Sequence, residues 1–422
     1  MKSRHTPEIR FAGFTGDWEQ HRFENVFNKQ DGIRRGPFGS ALKKEFFVKD
    51  SEYAVYEQQN AIYDHYETRY NITKEKFEEL KNFQLSEGDF ILSGAGTIGR
   101  ISRVPKGIKK GVFNQALIRF KIDENITDSE YFIQWIRSEN MQRKLTGANP
   151  GSAITNLVPM SEVKKWDVMV PSKNEQTQIG TFFKQLDDII TLQQQELTTL
   201  KQTKQGFLQK MFPKEGEPVP EVRFPGFTDA WEQRKLREML AGPVTDGPHE
   251  TPKLEESGIP FISVDAIVDN QIDFDRKRGY ISEETNELYS KKYRPQYHDV
   301  FLVKSGSTVG KTAIVETKER FNIWSPLAAM RVGEVSDPYF LYFLLQTRKM
   351  QNQVKDKASN GTQPNLGMRE LEKFHTQITP NLEEQKEIGA FFRQIDNLIT
   401  LHQRELDALK KTKKAFLQKM FV

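Results

Sequence analysis

Gly94, Gly96 and Gly99 fall at GxGxxG spacing, which in a nucleotide-binding fold turns the chain tightly enough for backbone amides to face a pyrophosphate. That chemistry requires a helix to begin at once, so that its N-terminus holds the anion. Here ISRVPKG follows, with a proline where the helix should run, and the spacing predicts a strand, a Gly-rich turn and a second strand instead. Gly306 to Thr312, GSTVGKT, is similar to a phosphate-binding loop, but three residues separate its glycines where four are needed to close the amide cradle. Its alignment with the first run makes it the same hairpin. Asn149-Pro150-Gly151-Ser152 lacks the aromatic that an amino-methyltransferase loop places after its prolines to stack the target base, and reads as a plain loop. The histidines, His5, His21, His65, His249, His298, His375 and His402, show no HxxxH spacing. With no cysteine, disulfides and thiolate zinc sites are excluded. No catalytic residue, cofactor site or metal-ligand set is legible from these residues.

The elements that would position these turns occur twice. Glu175 to Phe212 returns as Glu384 to Phe421, with 24 of 38 positions identical. Glu8 to Gln20, EIRFAGFTGDWEQ, likewise returns as Glu221 to Gln233, EVRFPGFTDAWEQ. In the first long segment Ile179, Phe183, Leu186, Ile190, Gln193, Leu197, Leu200, Lys204, Phe207 and Met211 step by four and three, a heptad seam. The second repeats it with Ile388, Phe392, Ile395, Ile399, His402, Leu406, Leu409, Lys413, Phe416 and Met420. A helix of that length spans roughly 57 Å and would leave a long apolar stripe wet, so the obvious cover for one stripe is the other. Antiparallel pairing about the midpoints would set Gln193 opposite His402. It would also leave Lys204 and Lys413 near the ends, their stems on apolar surface and their ammonium groups reaching outward.

The repeats divide the chain into a lead-in segment (1–20), a variable region (21–174), a central spacer helix (175–212), a linker with the repeated lead-in (213–233), a second variable region (234–383) and a C-terminal spacer helix (384–422). Prolines and a glycine in PKEGEPVPEV, 213–222, end the first helix. Both variable regions mix short β-branched and aromatic runs with helical patches, which predicts α/β domains on irregular sheet. Each offers a strand, Gly-rich turn and strand (around Phe90–Val104 and Val300–Val315), then a helix (Asp128 to Lys144; Asp337 to Lys355), then a polar loop ending in Asn156-Leu157 or Asn365-Leu366. The 422 residues can bury two cores. A net charge of +4 permits nucleic acid as a partner without demanding it. No apolar run reaches the ~20 residues of a membrane span and no signal-peptide core is seen, so a cytoplasmic protein is expected.

The pattern EQxxIxxFFxxLDxxITL…EL…LKxxKxxFLQKMF closing each half, RFxGFTxxWEQ before each variable region, and the loops GPFGSALKK (Gly36 to Lys44) and DGPHETP (Asp246 to Pro252) together resemble the specificity subunit of type I restriction-modification enzymes over essentially the whole chain. The resemblance implies a tandem, pseudo-twofold α/β fold. In it, two target-recognition domains are separated by two long antiparallel coiled-coil helices, and each domain reads one half of a bipartite, asymmetric site in double-stranded DNA. It further implies two modification subunits that methylate adenine with S-adenosylmethionine, and restriction subunits that use ATP and Mg to translocate and cleave. By this resemblance the chain itself would catalyse nothing and hold no cofactor, and would take part in defence against foreign DNA. Candidate DNA contacts in the first domain are Arg34, Arg35, Ser40, Lys43, Lys44, Thr97, Arg100, Lys109, Lys110, Asn114 and Gln115, cations for phosphate and amides for adenine edges. In the second they are His249, Lys304, Ser307, Thr308, Lys311 and Asn322. An adaptor binding peptides or RNA, or a single-chain nuclease or methyltransferase, are the competing classes.

Overall fold

A computed structural model describes residues 5–146, 159–359 and 364–422; the sequence loops at Asn149–Ser152 and Asn156-Leu157 lie outside the described residues. The chain forms two compact units, one of Met1–Gln194 with Arg404–Val422, the other Gln195–Gln403. The two long helices, Lys173–Lys210 and Leu382–Lys419, each contribute one end to each unit. Among the described residues no helix is long and apolar enough to cross a membrane.

In the first unit a four-stranded antiparallel sheet runs in the order Ile33–Arg35, Leu117–Phe120, Phe90–Ser93, Ile101–Arg103. A second sheet, Phe47–Val48, Tyr70–Ile72, Tyr53–Tyr56, Gly111–Phe113, ends on a parallel pair. The second unit repeats the scheme with Thr245–Asp246, Leu327–Met330, Val300–Val303, Thr312–Ile314. Its second sheet, Gly279–Ile281, Ile259–Ile262, Asn322–Ile323, again carries a parallel pair. Both glycine runs are therefore hairpin turns between antiparallel strands, as the proline after the first and the short spacing of the second imply. The fold is α/β and tandemly repeated.

The repeated sequences fasten each unit in the same way. Glu19–Arg22 pairs with Asp167–Val170, and Glu232–Lys235 with His375–Ile378, in corresponding registers. Arg10 forks onto the buried Glu175 with bonds of 2.6 and 2.7 Å, and Arg223 onto the buried Glu384 with 2.5 and 2.8 Å. The next residue fills its amide completely. Gln176 accepts from the Asp128 N–H and donates to the Ile126 and Pro171 carbonyls. Gln385 accepts from the Asp337 N–H and donates to the Val335 and Thr379 carbonyls. Buried polar groups are costly unless bonded, so in each repeat an Arg–Glu pair fixes the lead-in segment to the start of a long helix, and a Gln ties that helix start to the segment 126–128 or 335–337.

Asp128 and Asp337 cap the helices Ser129–Arg137 and Pro338–Gln346, which sink Phe132, Trp135 and Ile136, and Phe340, Phe343 and Leu344, into the two main cores. The sequence predicts one helix over each of these stretches, but there are two. Ser138 and Thr347 adopt extended backbone, and their hydroxyls accept from the N–H three residues on, restarting the chain as Glu139–Thr146 and Arg348–Lys357. The first unit's core is completed by the far end of the second long helix: Phe421 lies 5.8 Å from Phe183 and 5.6 Å from Tyr131. In the second unit Phe212 stands correspondingly near Phe392 and Phe340.

Candidate nucleic-acid interface

At one end of the first unit's all-antiparallel sheet, two segments distant in sequence converge on the turn Asn114–Ala116. From one side comes the loop after Ile33–Arg35. The Gly36 N–H donates to the Leu117 carbonyl (2.9 Å), and its backbone lies so close to the Asn114 carbonyl that any Cβ would collide with it. Arg35 Nε reaches the Gln115 carbonyl at 3.4 Å. From the other side comes the Gly-rich turn, where the Gly94 N–H donates to the Ala116 carbonyl (2.7 Å). Gln142 braces that turn from behind, donating to the Gly99 and Ile136 carbonyls (2.9 and 2.7 Å).

The second unit builds the same junction with other residues. Gly247 packs against the Ile323 carbonyl so that a Cβ would overlap it, and the Ser325 N–H donates to the Pro248 carbonyl (3.1 Å). The Lys304 N–H donates to the Pro326 carbonyl (2.8 Å), and Gln351 braces the turn through the Gly310 and Leu345 carbonyls (2.9 and 2.8 Å). The Asn365-Leu366 loop joins here as well, with the Leu366 N–H donating to the Lys304 carbonyl (2.7 Å).

Arg35, Ser40, Lys43, Lys44, Thr97, Arg100 and Gln115 present exposed side chains on or beside this junction in the first unit. Arg34 is half-buried, bound to Asp31 at 2.9 Å and standing 5.9 Å over the Phe83 ring. Asn114 turns its side-chain oxygen back to accept from the Ala116 N–H (3.1 Å). Lys109 and Lys110 are exposed but sit at the opposite end of the strand Gly111–Phe113 from that turn, and Lys109 donates to Asn71 (2.8 Å). In the second unit His249, Ser307 and Lys311 are exposed and Thr308 half-buried.

Two candidates are turned inward. Asn322 is 1 % exposed, its amide spent on Asn286 (3.3 Å) and on the Ile323 N–H (2.9 Å), because it belongs to the parallel strand pair rather than to a loop. Lys304 is 8 % exposed, its ammonium 3.3 Å from the buried Asp246. Lys292 also pairs with Asp246 and donates to the Gly247 carbonyl (3.0 Å), and His249 Nε2 stands 3.5 Å away. This carboxylate, gathering three basic groups from three segments, escaped the sequence reading because Lys292 comes from a remote helix end. Arg278, stacked 4.1 Å over the Trp324 ring, was missed for a similar reason, whereas Phe38 lies in the opening loop itself and was passed over because an apolar residue type suggests burial.

Along the helices Phe183, Leu186, Leu197, Phe392, Ile395 and Leu406 are buried, and Ile190, Gln193, Leu200, Ile399, His402 and Leu409 half-buried. Within each unit the two helix ends run antiparallel: Phe182 meets Phe416 in one, and Phe207 meets Phe391 in the other. His402 lies 3.6 Å from Glu196. The expectation that Lys204 and Lys413 send their ammonium groups outward is overturned. Lys204 is buried and bonded to Asp396 (2.9 Å) and Gln346 (3.0 Å), while Lys413 pairs with Asp187, which also accepts from Gln134 (2.8 Å). Burial raises the Asp396 carboxyl above its ordinary range, with Lys204 opposing. Burial lowers the Lys413 ammonium, with Asp187 opposing. The acid on each helix is answered by the lysine of the other. Such buried pairs add little net stability after desolvation but penalise any other register.

The family model for the type I restriction modification DNA specificity domain matches twice, over residues 16–202 and 228–411. The type I restriction enzyme MjaVIII specificity subunit of Methanocaldococcus jannaschii is 23% identical over 364 residues, covering 81% of this chain and 80% of that one. A further relative from the same organism is 30% identical over 196 residues, so the match spans under half, 45%, of each chain. Among solved structures, a type I restriction-modification S subunit from M. genitalium shares the fold with a TM-score of 0.63 over 99% of both chains, at 14% identity. With both repeats matched by the family model, the chain belongs to the family of type I restriction-modification specificity subunits.

Proposed function

We propose that this chain is the non-catalytic, sequence-reading subunit of a cytoplasmic restriction-modification complex, each unit reading one half of a bipartite, asymmetric site in duplex DNA. The observation that carries this is the repeated junction: one scaffold, braced by the same glycine and glutamine contacts, presents unlike tips in the two units. A brace repeated in both units with unlike tips is what reading two different base sequences through one docking geometry requires. Exposed Arg35, Lys43, Lys44 and Arg100, and Lys311 in the second unit, would meet phosphates. The long helices would fold back on one another and set the gap between half-sites.

Two modification subunits would dock on the repeated helices. Ile189 and Leu192 on the first, and Leu398 and Leu401 on the second, are exposed apolar pairs at matching positions, 48, 55, 47 and 52 % accessible. S-adenosylmethionine would be held by those partners, and ATP and Mg by restriction subunits. Mapping methylated adenines genome-wide in cells with and without this chain tests the proposal. A gapped motif whose methylation disappears on deletion supports it; an unchanged methylation map would refute it.

A further inference from the structure

The junction in each unit starts on Gly-Pro followed by a ring: Gly36-Pro37-Phe38 in one and Gly247-Pro248-His249 in the other. Phe38 is 82 % exposed, whereas the unit's core holds Phe23, Phe27, Phe90, Phe120 and Phe132 out of solvent entirely or nearly so. The His249 side chain is 72 % exposed. Neither ring sits on a loose tip. Gly36 is wedged on the Asn114 carbonyl, Pro37 is buried, and the Phe38 carbonyl accepts from the Ala41 N–H (2.8 Å) to begin the turn Gly39–Leu42. On the other loop Gly247 is wedged on the Ile323 carbonyl, and His249 faces the buried Asp246 at 3.5 Å. A large apolar ring held in water by a braced loop loses the burial free energy that a free loop would recover by folding it down. Arg35 before it, and Lys43 and Lys44 after it, make an anionic polymer the matching occupant.

Resting on the DNA-reading proposal above, we infer that Phe38 and His249 are specificity-determining residues at equivalent positions, each setting the preference at one base pair of its own half-site. A phenyl ring carries no hydrogen-bond donor or acceptor, and the apolar feature on a major-groove edge is the 5-methyl group of thymine. Phe38 therefore selects a thymine. His249, with Nε2 facing Asp246, leaves Nδ1 to select a base by hydrogen bonding.

The test uses the full chain assembled with its methyltransferase partner. Methylation rates are measured on duplexes in which each thymine of the half-site read by the first unit is replaced, singly, by deoxyuridine, which removes only the methyl. One position is expected to slow the wild-type complex by about 4-fold, the worth of one buried methyl. Phe38→Ala is expected to be slow with either base there and to lose the distinction, while Phe38→Leu keeps part of it. Discrimination in the other half-site stays intact in both variants and reports that the protein is folded. His249→Phe is expected to alter preference at one base pair of the second half-site alone. The inference is overturned if no thymine-to-uracil change slows the wild type, or if Phe38→Ala discriminates as the wild type does while methylation stays sequence-specific. Methylation by the wild-type complex without any sequence preference would instead refute the DNA-reading proposal, and this inference with it.

Discussion

At the residue scale, the site divides into groups that shape the junction and groups that face outward. Gly36 and Gly247 belong to the first kind, since each admits a backbone carbonyl where any side chain would stand. Gly36→Ala should push the opening loop off the Asn114 turn and weaken recognition of one half-site, roughly 5- to 150-fold in methylation rate if a base contact worth ~1–3 kcal/mol is lost. The other half-site should keep its preference. Lys311 is of the second kind, exposed at the end of the second Gly-rich turn. Lys311→Ala is expected to weaken binding evenly across sequences and to reduce the slope of log affinity against log salt by about 1. An unchanged slope in a salt titration would remove Lys311 from the interface. The sequence identified the segments that meet here but not the direction of each side chain. Lys304 and Lys311 are both lysines flanking one glycine turn, yet one is sealed on Asp246 and the other is open. What separates them is Lys292 and the Asn365-Leu366 loop, contacts made by tertiary folding alone.

At the element scale, the heptad seam was legible because its period is local. The role of its polar members was not, because it depends on the partner helix. Lys204 and Lys413 read as snorkelling ends, but each meets an aspartate seventeen positions away from the equivalent lysine along the repeat, at Asp396 and Asp187. These pairs are expected to specify alignment more than to stabilise. Lys204→Met alone, stranding Asp396, should cost about 3 kcal/mol, whereas Lys204→Met with Asp396→Leu should come within about 1 kcal/mol of wild type. Chemical denaturation of the three proteins checks this: a double variant as unstable as the single would mean that the pair is a net source of stability. Helix breaks at Ser138 and Thr347 were hidden for a related reason. Both residues are compatible with a helix interior, and only the hydroxyl's competing bond to the N–H three residues ahead decides for a cap.

At the scale of the whole molecule, duplication explains both what repeats and what differs. The Arg10–Glu175 and Arg223–Glu384 forks, the Gln176 and Gln385 hubs and the Gln142 and Gln351 braces are one design used twice, while the tips they carry have diverged. If the long helices act as the ruler between half-sites, inserting four residues into the middle of both lengthens each by ~6 Å, or roughly two base pairs at 3.4 Å. The methylated motif should then widen its gap by about two base pairs and keep both half-sites; an unaltered gap would contradict the ruler. The most direct measurement is methylome mapping of cells in which residues 234–383 are replaced by the corresponding region of a relative with a different target. One half of the methylated motif should change, with the other half and the gap retained. A motif altered in both halves, or in neither, would contradict the claim that each unit reads its own part of the site.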